Sequence, residues 1–376
     1  MAEVIGISTI LRKALPTGVD GTRLAQWQLR SGKTYQAWVS EAAQALAGFN
    51  AEMARTWNWL TYITEDLMME YPNGGSVTPM PQLPDTDRID PRHGTTIGHM
   101  IDLIAYGDAI GGSKRWFRDA REAQFDADMR RLVLSAQWRF EQLVLTRCFT
   151  NTENLVGTAG YDVPFVRGTG GNVDFAPPAY GGEAFTTSHD HYMGVASASY
   201  GFGDMLEQMA ENLQEHGHEP PYIGMVSRAD IASYKALPDF VEPLPANVII
   251  VDRGTTAADT GAALFSRETR EFGKIGGFNS GYGYIELRAT NRIPTAYAFI
   301  AKSYGENNPG NPIAIRVHPD LGFGALVVPE TTQDDDYPLK QLDVEFEFGI
   351  SVGRDRTNGV AGYRVSGGTW ANPTIT

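Results

Sequence analysis

The stretch KRWFRDAREAQFDADMRRLVLSAQWRFEQLVLTRCF, residues 114–149, decides how the rest of the sequence is read. Phe117, Phe125, Met129, Leu132, Ala136, Phe140 and Leu143 recur at spacings of mostly three and four, which lines them along one side of an α-helix. Arg118, Arg121, Arg130, Arg131 and Arg139 alternate with Asp119, Glu122, Asp126, Asp128 and Glu141, and no Gly or Pro interrupts the run. A helix of about 33 residues rises roughly 50 Å, well above the usual mean length. A rod of that length organises whatever is attached to it.

Upstream, residues 1–33 carry few periodic apolar positions and include Pro16, Gly18, Gly21 and Gly32, so an extended arm is expected. Over 35–62, Trp38, Ala42, Ala45, Phe49, Met53, Trp57 and Leu60 recur at helical spacing, with Gly48 the weak point. Residues 66–113 change character. Pro72, Pro79, Pro81, Pro84 and Pro91 forbid a helix across the first half. Segments 76–83 and 95–106 are expected to pair as a long hairpin, with 84–91 as its exposed tip. A projecting hairpin cannot bury itself and needs a neighbour to lie on. Six of the seven tryptophans (Trp27, Trp38, Trp57, Trp59, Trp116 and Trp138) fall in the first 138 residues. Such rings either pack against a partner or dock on their own chain.

Downstream, residues 150–185 are rich in Gly and Pro. A second helical region is expected over 188–216, interrupted near Gly201-Phe202-Gly203. In its second half Leu206, Met209, Ala210 and Leu213 share a face, Asp204 suits the N-cap and Gly217 the C-cap. A strand over 221–226, a short helix opened by Ser227-Arg228-Ala229-Asp230 as a capping box, and a strand over 248–251 complete a small α/β unit. From about 272 onward the pattern is β: 282–289, 295–302, 313–318, 326–329, 343–352 and 362–365. The run Asp334-Asp335-Asp336 reads as a solvated turn.

The sequence of 376 residues carries a net charge of 31 − 45 = −14, unevenly spread. Residues 1–150 hold 16 basic and 17 acidic side chains, a balance of −1; residues 151–376 hold 15 and 28, a balance of −13. A protein reading nucleic acid along its whole length would be basic, and this one is not. With one cysteine, Cys148, no intrachain disulfide framework is possible. No apolar run approaches the roughly 18–20 residues that span a bilayer, so no membrane is expected as a partner. Glu3 and the lack of a basic start argue against a secretory signal. Arg outnumbers Lys by 24 to 7, which suits protein–protein interfaces and equally suits codon bias.

No catalytic constellation emerges. Gly32-Lys33-Thr34 would need glycine at position 27 to cradle phosphate, and Trp27 stands there. Gly201-Phe202-Gly203 and Gly281-Tyr282-Gly283 lack the third glycine of a dinucleotide site. His189, Asp190 and His191 form the one metal-like cluster, but in a helical segment positions i and i+2 point apart. His216 and His218 sit at a helix end, where a cation is favoured, while His93, His99 and His318 are scattered. Cys148 reads as a buried structural cysteine. The expectation is no catalytic, cofactor-binding or metal site, and no cofactor.

What remains is an order of parts: arm, projecting hairpin, long helix, small α/β unit, then strands. This order resembles the major capsid protein of tailed double-stranded DNA bacteriophages, the Hong Kong 97-like fold. Two stretches look like family usage, Met205–Gly217 leading to Tyr222–Ser227, and the tail Glu347–Gly362. The resemblance implies an α+β chain with an N-terminal arm (1–65), an extended loop hairpin (66–113), a peripheral domain (114–183 and 330–376) containing the spine helix 114–149, and an axial domain (184–329). It implies a non-enzymatic, self-assembling structural protein of the virion. Its copies would form the hexamers and pentamers of an icosahedral shell in the host cytoplasm. The further partners implied are a separate scaffold protein, a cement protein, the portal, and packaged DNA touched without sequence specificity. Some family members cross-link a loop lysine to an asparagine; residues 66–113 contain no lysine, and Lys114 follows the loop, which argues against that chemistry whatever Asn358 does. The near-neutral residues 1–64, balance 6 − 4 = +2, would suit an inner layer beside DNA. Two alternatives stay open: an encapsulin-like compartment shell, and a soluble α+β enzyme with an unrecognised site.

Overall fold

The computed structural model describes residues 35–73, 95–113, 116, 119, 122–152, 154–156, 159–161, 163–166, 190–242, 273–329 and 339–375. In chain order these form helix α1 (Tyr35–Trp57), strands β1 (Thr61–Thr64), β2 (Met68–Asn73), β3 (Thr95–Met100) and β4 (Ile104–Ser113), and helix α2 (Glu122–Phe149). Then follow β5 (Asn154–Val156), β6 (Ala159–Tyr161), β7 (Tyr192–Ala196), α3 (Phe202–Glu215), β8 (Tyr222–Ser227), α4 (Ile231–Lys235) and β9 (Phe240–Val241). The remaining strands are β10 (Lys274–Ser280), β11 (Gly283–Thr290), β12 (Tyr297–Ala301), β13 (Ile313–Val317), β14 (Leu326–Pro329), β15 (Leu339–Val352) and β16 (Val360–Val365). The arm over 1–33, the hairpin tip, segment 76–83, the strand over 248–251 and the acidic turn lie outside the described residues.

The chain divides into two compact units, one of residues 1–57, 102–141 and 316–349, the other of 58–101, 142–315 and 350–376. In the first, β15 pairs antiparallel with β4, from Leu339↔Ser113 to Phe348↔Ile104, and on its other side with β14. Phe346 and Phe348 share one face of β15 because side chains two apart do so. Phe140 of α2 meets both rings, at 6.2 and 5.6 Å between centroids, and Phe323 at 5.6 Å. Met129, Leu132 and Phe140 are buried along the expected stripe of α2. On α1, Ala42, Leu46, Met53 and Trp57 form the buried face. The Asn50 amide donates to the Ala325 carbonyl and accepts from the Ala325 N–H, both at 3.0 Å, which ties α1 to the chain just before β14.

The second unit holds a seven-stranded sheet in the order β7-β16-β12-β8-β11-β10-β9, and a four-stranded sheet in the order β2-β3-β6-β5. Helix α3 lies on the larger sheet. Its Met205, Leu206, Met209, Ala210 and Leu213 pack with Val226, Ile285, Leu287, Ala298, Ile300 and Val360 in one core. Gly362 leaves room for this, since a Cβ there would lie 2.6 Å from Met209 Sδ. The last turns of α2 are buried on several faces: Val144, Leu145, Cys148 and Phe149 are all 0% exposed.

Several expectations need correction. Thr95–Met100 pairs with Met68–Asn73, register Met68↔Met100, and Ile104–Ser113 belongs to another sheet altogether. Residues 192–196 form a strand where a helix was expected, because parallel pairing with β16 outweighs local propensity. Asp204 is the third residue of α3; its carboxylate still accepts the Gly201 N–H at 2.6 Å. Ser227 caps the turn at Arg228–Asp230, but Asp230 accepts from the Ala296 N–H at 2.6 Å and does not close a capping box.

Candidate assembly surfaces

Residues 355–359, within the tail that looks like family usage, form a buried polar knot of the second unit. Helix α3 ends in a Schellman turn: Gly217 has φ +85°, its N–H donates to Gln214, and the His218 N–H donates to Leu213. This turn brings His218 to Thr357 and Asp355, and His216 to His191. His218 Nε2 lies 2.9 Å from Thr357 Oγ1 and 3.5 Å from the Asp355 carboxylate, and Nδ1 lies 2.8 Å from the Tyr304 hydroxyl. Thr357 Oγ1 donates in turn to Asp355. Burial holds His218 below the usual histidine range, against the opposing pull of Asp355.

His191, 0% exposed, places Nδ1 2.8 Å from the Gly359 carbonyl and Nε2 2.8 Å from His216 Nε2. Asn358, also fully buried, accepts from the Lys302 N–H and donates to the carbonyls of Lys302 and Gly310, all at 2.8 Å. Arg356, nearly fully buried, donates through Nε to the Pro164 carbonyl at 2.9 Å. In the same unit His99 faces the Val352 carbonyl at 3.0 Å, and burial, followed by the charge of Arg356, lowers its pKa to about 3. These groups spend their hydrogen bonds on backbone and on each other, which is how a polar loop is fixed inside a fold.

The surface carries the complementary signal. On α2, Leu134 is 61% exposed and Trp138, one turn on, 44%. In the second unit Ile63, Leu67 and Met68 are exposed within six residues, beside exposed Glu65, Asp66 and Glu70. Large apolar side chains that cluster on a surface mark places where another molecule sits.

The tryptophans divide between the two roles the sequence left open. Trp57 is buried, Trp59 lies under the Arg288 guanidinium at 5.0 Å, and Trp116 covers Gly112, where a Cβ would lie 2.2 Å from the ring. Trp138 faces outward; Trp27, His93, His189 and Lys114 lie outside the described residues. Cys148 is fully buried, and burial pushes its thiol up. His318 sits near Asp320 at a half-exposed turn. Among the described residues no three of His, Cys, Asp and Glu converge as metal ligands, and no helix is long and apolar enough to cross a membrane. Sequence reasoning missed the His191–His216 pair, because it read 188–200 as helix and so had no reason to bring the two rings together.

No protein-family model and no curated protein matches this sequence. Among solved structures, a chain of Mycobacterium phage Patience is similar over 91% of this chain and 91% of its own length, at 20% identity and a TM-score of 0.62. The capsid of the native GTA particle is similar over 83% of this chain and 90% of its own, at 11% identity and a TM-score of 0.46. The capsid of cyanophage P-SCSP1u is similar over 81% and 86%, at 10% identity and a TM-score of 0.43. The likeness to the Patience chain runs through both units, and the chain has an α+β, Hong Kong 97-like fold.

Proposed function

We propose that this protein is the shell subunit of a tailed phage, copies of which close into an icosahedral capsid around double-stranded DNA. The observation that carries the reading is the Hong Kong 97-like fold, shared over 91% of the chain with a chain of Mycobacterium phage Patience. Exposed apolar groups on both units support it, since a lone soluble subunit has no use for Leu134, Trp138, Leu67 and Met68 in water. The role is structural and not catalytic. In this reading residues 1–65 are the arm, 66–113 the extended loop, 114–183 with 330–376 the peripheral domain and 184–329 the axial domain. Shell formation takes place in the host cytoplasm, with scaffold, cement and portal proteins as separate partners. The near-neutral residues 1–64 face the packaged DNA, where a strongly negative layer would repel it.

The test is to express the protein, purify what sediments, and image it by electron microscopy. Closed particles of uniform size are expected. A protein that stays monomeric at high concentration, with or without a scaffold protein encoded beside it, overturns the reading. Particles from the natural source that hold protein cargo and no DNA would assign the encapsulin-like alternative instead.

A further inference from the structure

We propose that His191, His216 and His218 form an acid-opened latch, which joins the end of α3 to residues 355–359 at neutral pH and releases them when the rings take up protons. The inference goes beyond the shell reading and does not depend on it. It rests on a count of hydrogens. The Gly359 carbonyl can only accept, so His191 carries its hydrogen at Nδ1 and turns a lone pair at Nε2 toward His216, whose Nε2–H fills the 2.8 Å between them. Thr357 Oγ1 gives its hydrogen to Asp355 and therefore accepts from His218 Nε2 at 2.9 Å. His218 Nδ1 is then left to accept from the Tyr304 hydroxyl at 2.8 Å. Each nitrogen in these contacts has one role, and the roles fit only neutral rings.

Acid disturbs these contacts unequally. A proton added to His216 leaves its Nε2–H aimed at His191 and makes that bond charge-assisted. A further proton on His191 Nε2 sets the N–H groups of two cations against each other across 2.8 Å, so the pair must part. At His218 the Tyr304 hydroxyl, 44% exposed, can turn and accept instead. The pair is thus the part that opens, and it opens on its second proton. Of the charged neighbours, Asp355 lies 3.5 Å from His218 Nε2, with Lys302 acting against it. Asp190 turns its carboxylate to the Tyr192 N–H, and Arg356 its Nε to the Pro164 carbonyl. Glu215 acts on Tyr282, and Glu219 on Tyr222 and Tyr304, whose hydroxyls both bond His218. Helix α3 itself stays seated through Met205, Leu206, Met209 and Leu213, so the release is local.

Amide hydrogen exchange of the full-length subunit tests the latch, read from about pH 7.5 to about pH 4.5 and corrected for the intrinsic pH dependence of exchange. The His218 N–H bonded to Leu213 and the Ala361 N–H bonded to His191 report the latch, and the amides pairing β8 with β12 report the core. The latch amides should lose protection by more than about tenfold per pH unit, because one proton gives at most about tenfold. The core amides should hold. His216→Gln keeps a donor for His191 Nε2, and its amide can turn to accept once His191 is charged. In that variant the slope should fall to about tenfold per unit or less. A wild-type slope that shallow, a slope unchanged in His216→Gln, or loss of core protection in step with the latch overturns the proposal. So does a steep slope that vanishes in His99→Gln, which would assign the effect to His99. If His216→Gln fails to fold, the wild-type and His99→Gln slopes still decide.

Discussion

His191 Nε2 and His216 Nε2 lie 2.8 Å apart, although 25 residues separate them in sequence. The carbonyl of Gly359 decides which ring donates. It can only accept, so His191 Nδ1, 2.8 Å away, carries the hydrogen. Neutral His191 then presents a lone pair at Nε2, and the His216 Nε2–H donates to it. Long-range proton–nitrogen spectra at pH 8 should show His191 as the Nδ1–H tautomer and His216 as the Nε2–H tautomer. The reverse assignment would rule out this hydrogen-bond chain. His191→Phe should destabilise the second unit by about 2–3 kcal/mol, because it orphans the Gly359 carbonyl in a dry site.

His99 makes the fold acid-sensitive. In the folded chain its pKa falls to about 3, chiefly through burial, against about 6.5 in the unfolded chain. The unfolded state therefore takes up the proton first. The stability that His99 contributes is complete above about pH 6.5 and is lost as pH falls from there toward about 3. Between pH 6.5 and 4.5 the loss should amount to about 2–3 kcal/mol. His99→Gln keeps a donor for the Val352 carbonyl and removes the titrating ring, so its urea midpoint should fall less steeply over that range. Equal slopes for wild type and variant would refute the assignment.

Asn358 is a structural hinge pin. Its amide serves three backbone groups of residues 302 and 310 and has no exposed surface. Asn358→Ala leaves all three unmet and should cost about 2–4 kcal/mol. Asn358→Asp should be no milder, because it sets a carboxylate oxygen against two carbonyls that need a donor. Thermal unfolding of the unassembled subunit measures both. An Asp variant as stable as wild type would show that the amide group is dispensable.

Part of this architecture was legible because the signals are local. The stripe of α2 needs only 3.6-residue spacing, and Gly217 announces the Schellman turn that delivers His218 to Thr357. The strands after 272 follow from alternation and turn residues. What was not legible depends on partners far away in sequence. Strand β4 finds β15 across more than 200 residues, and periodicity marks a strand without naming its neighbour. Strand β7 reads as helix by itself and becomes extended only because β16 lies beside it. The buried knot was invisible for the same reason: Arg356 and Asn358 look like a polar turn until Pro164, Lys302 and Gly310 are seen to surround them.

Two glycines separate close packing from mere flexibility. A Cβ at Gly194 on β7 would lie 2.5 Å from backbone atoms of both Thr369 and Trp370, and 2.8 Å from the Gly368 carbonyl oxygen. Backbone cannot give way as a side chain can, so Gly194→Ala should cost about 1–3 kcal/mol or displace the segment after β16. Gly48 lies on the exposed side of α1 with nothing within 4 Å of its added Cβ. Gly48→Ala should therefore stabilise by about 0.5–1 kcal/mol through helix propensity alone. Denaturant titration of the two variants beside wild type gives the comparison. A Gly194→Ala variant at least as stable as wild type would mean that residues 368–370 do not pack against β7 as described.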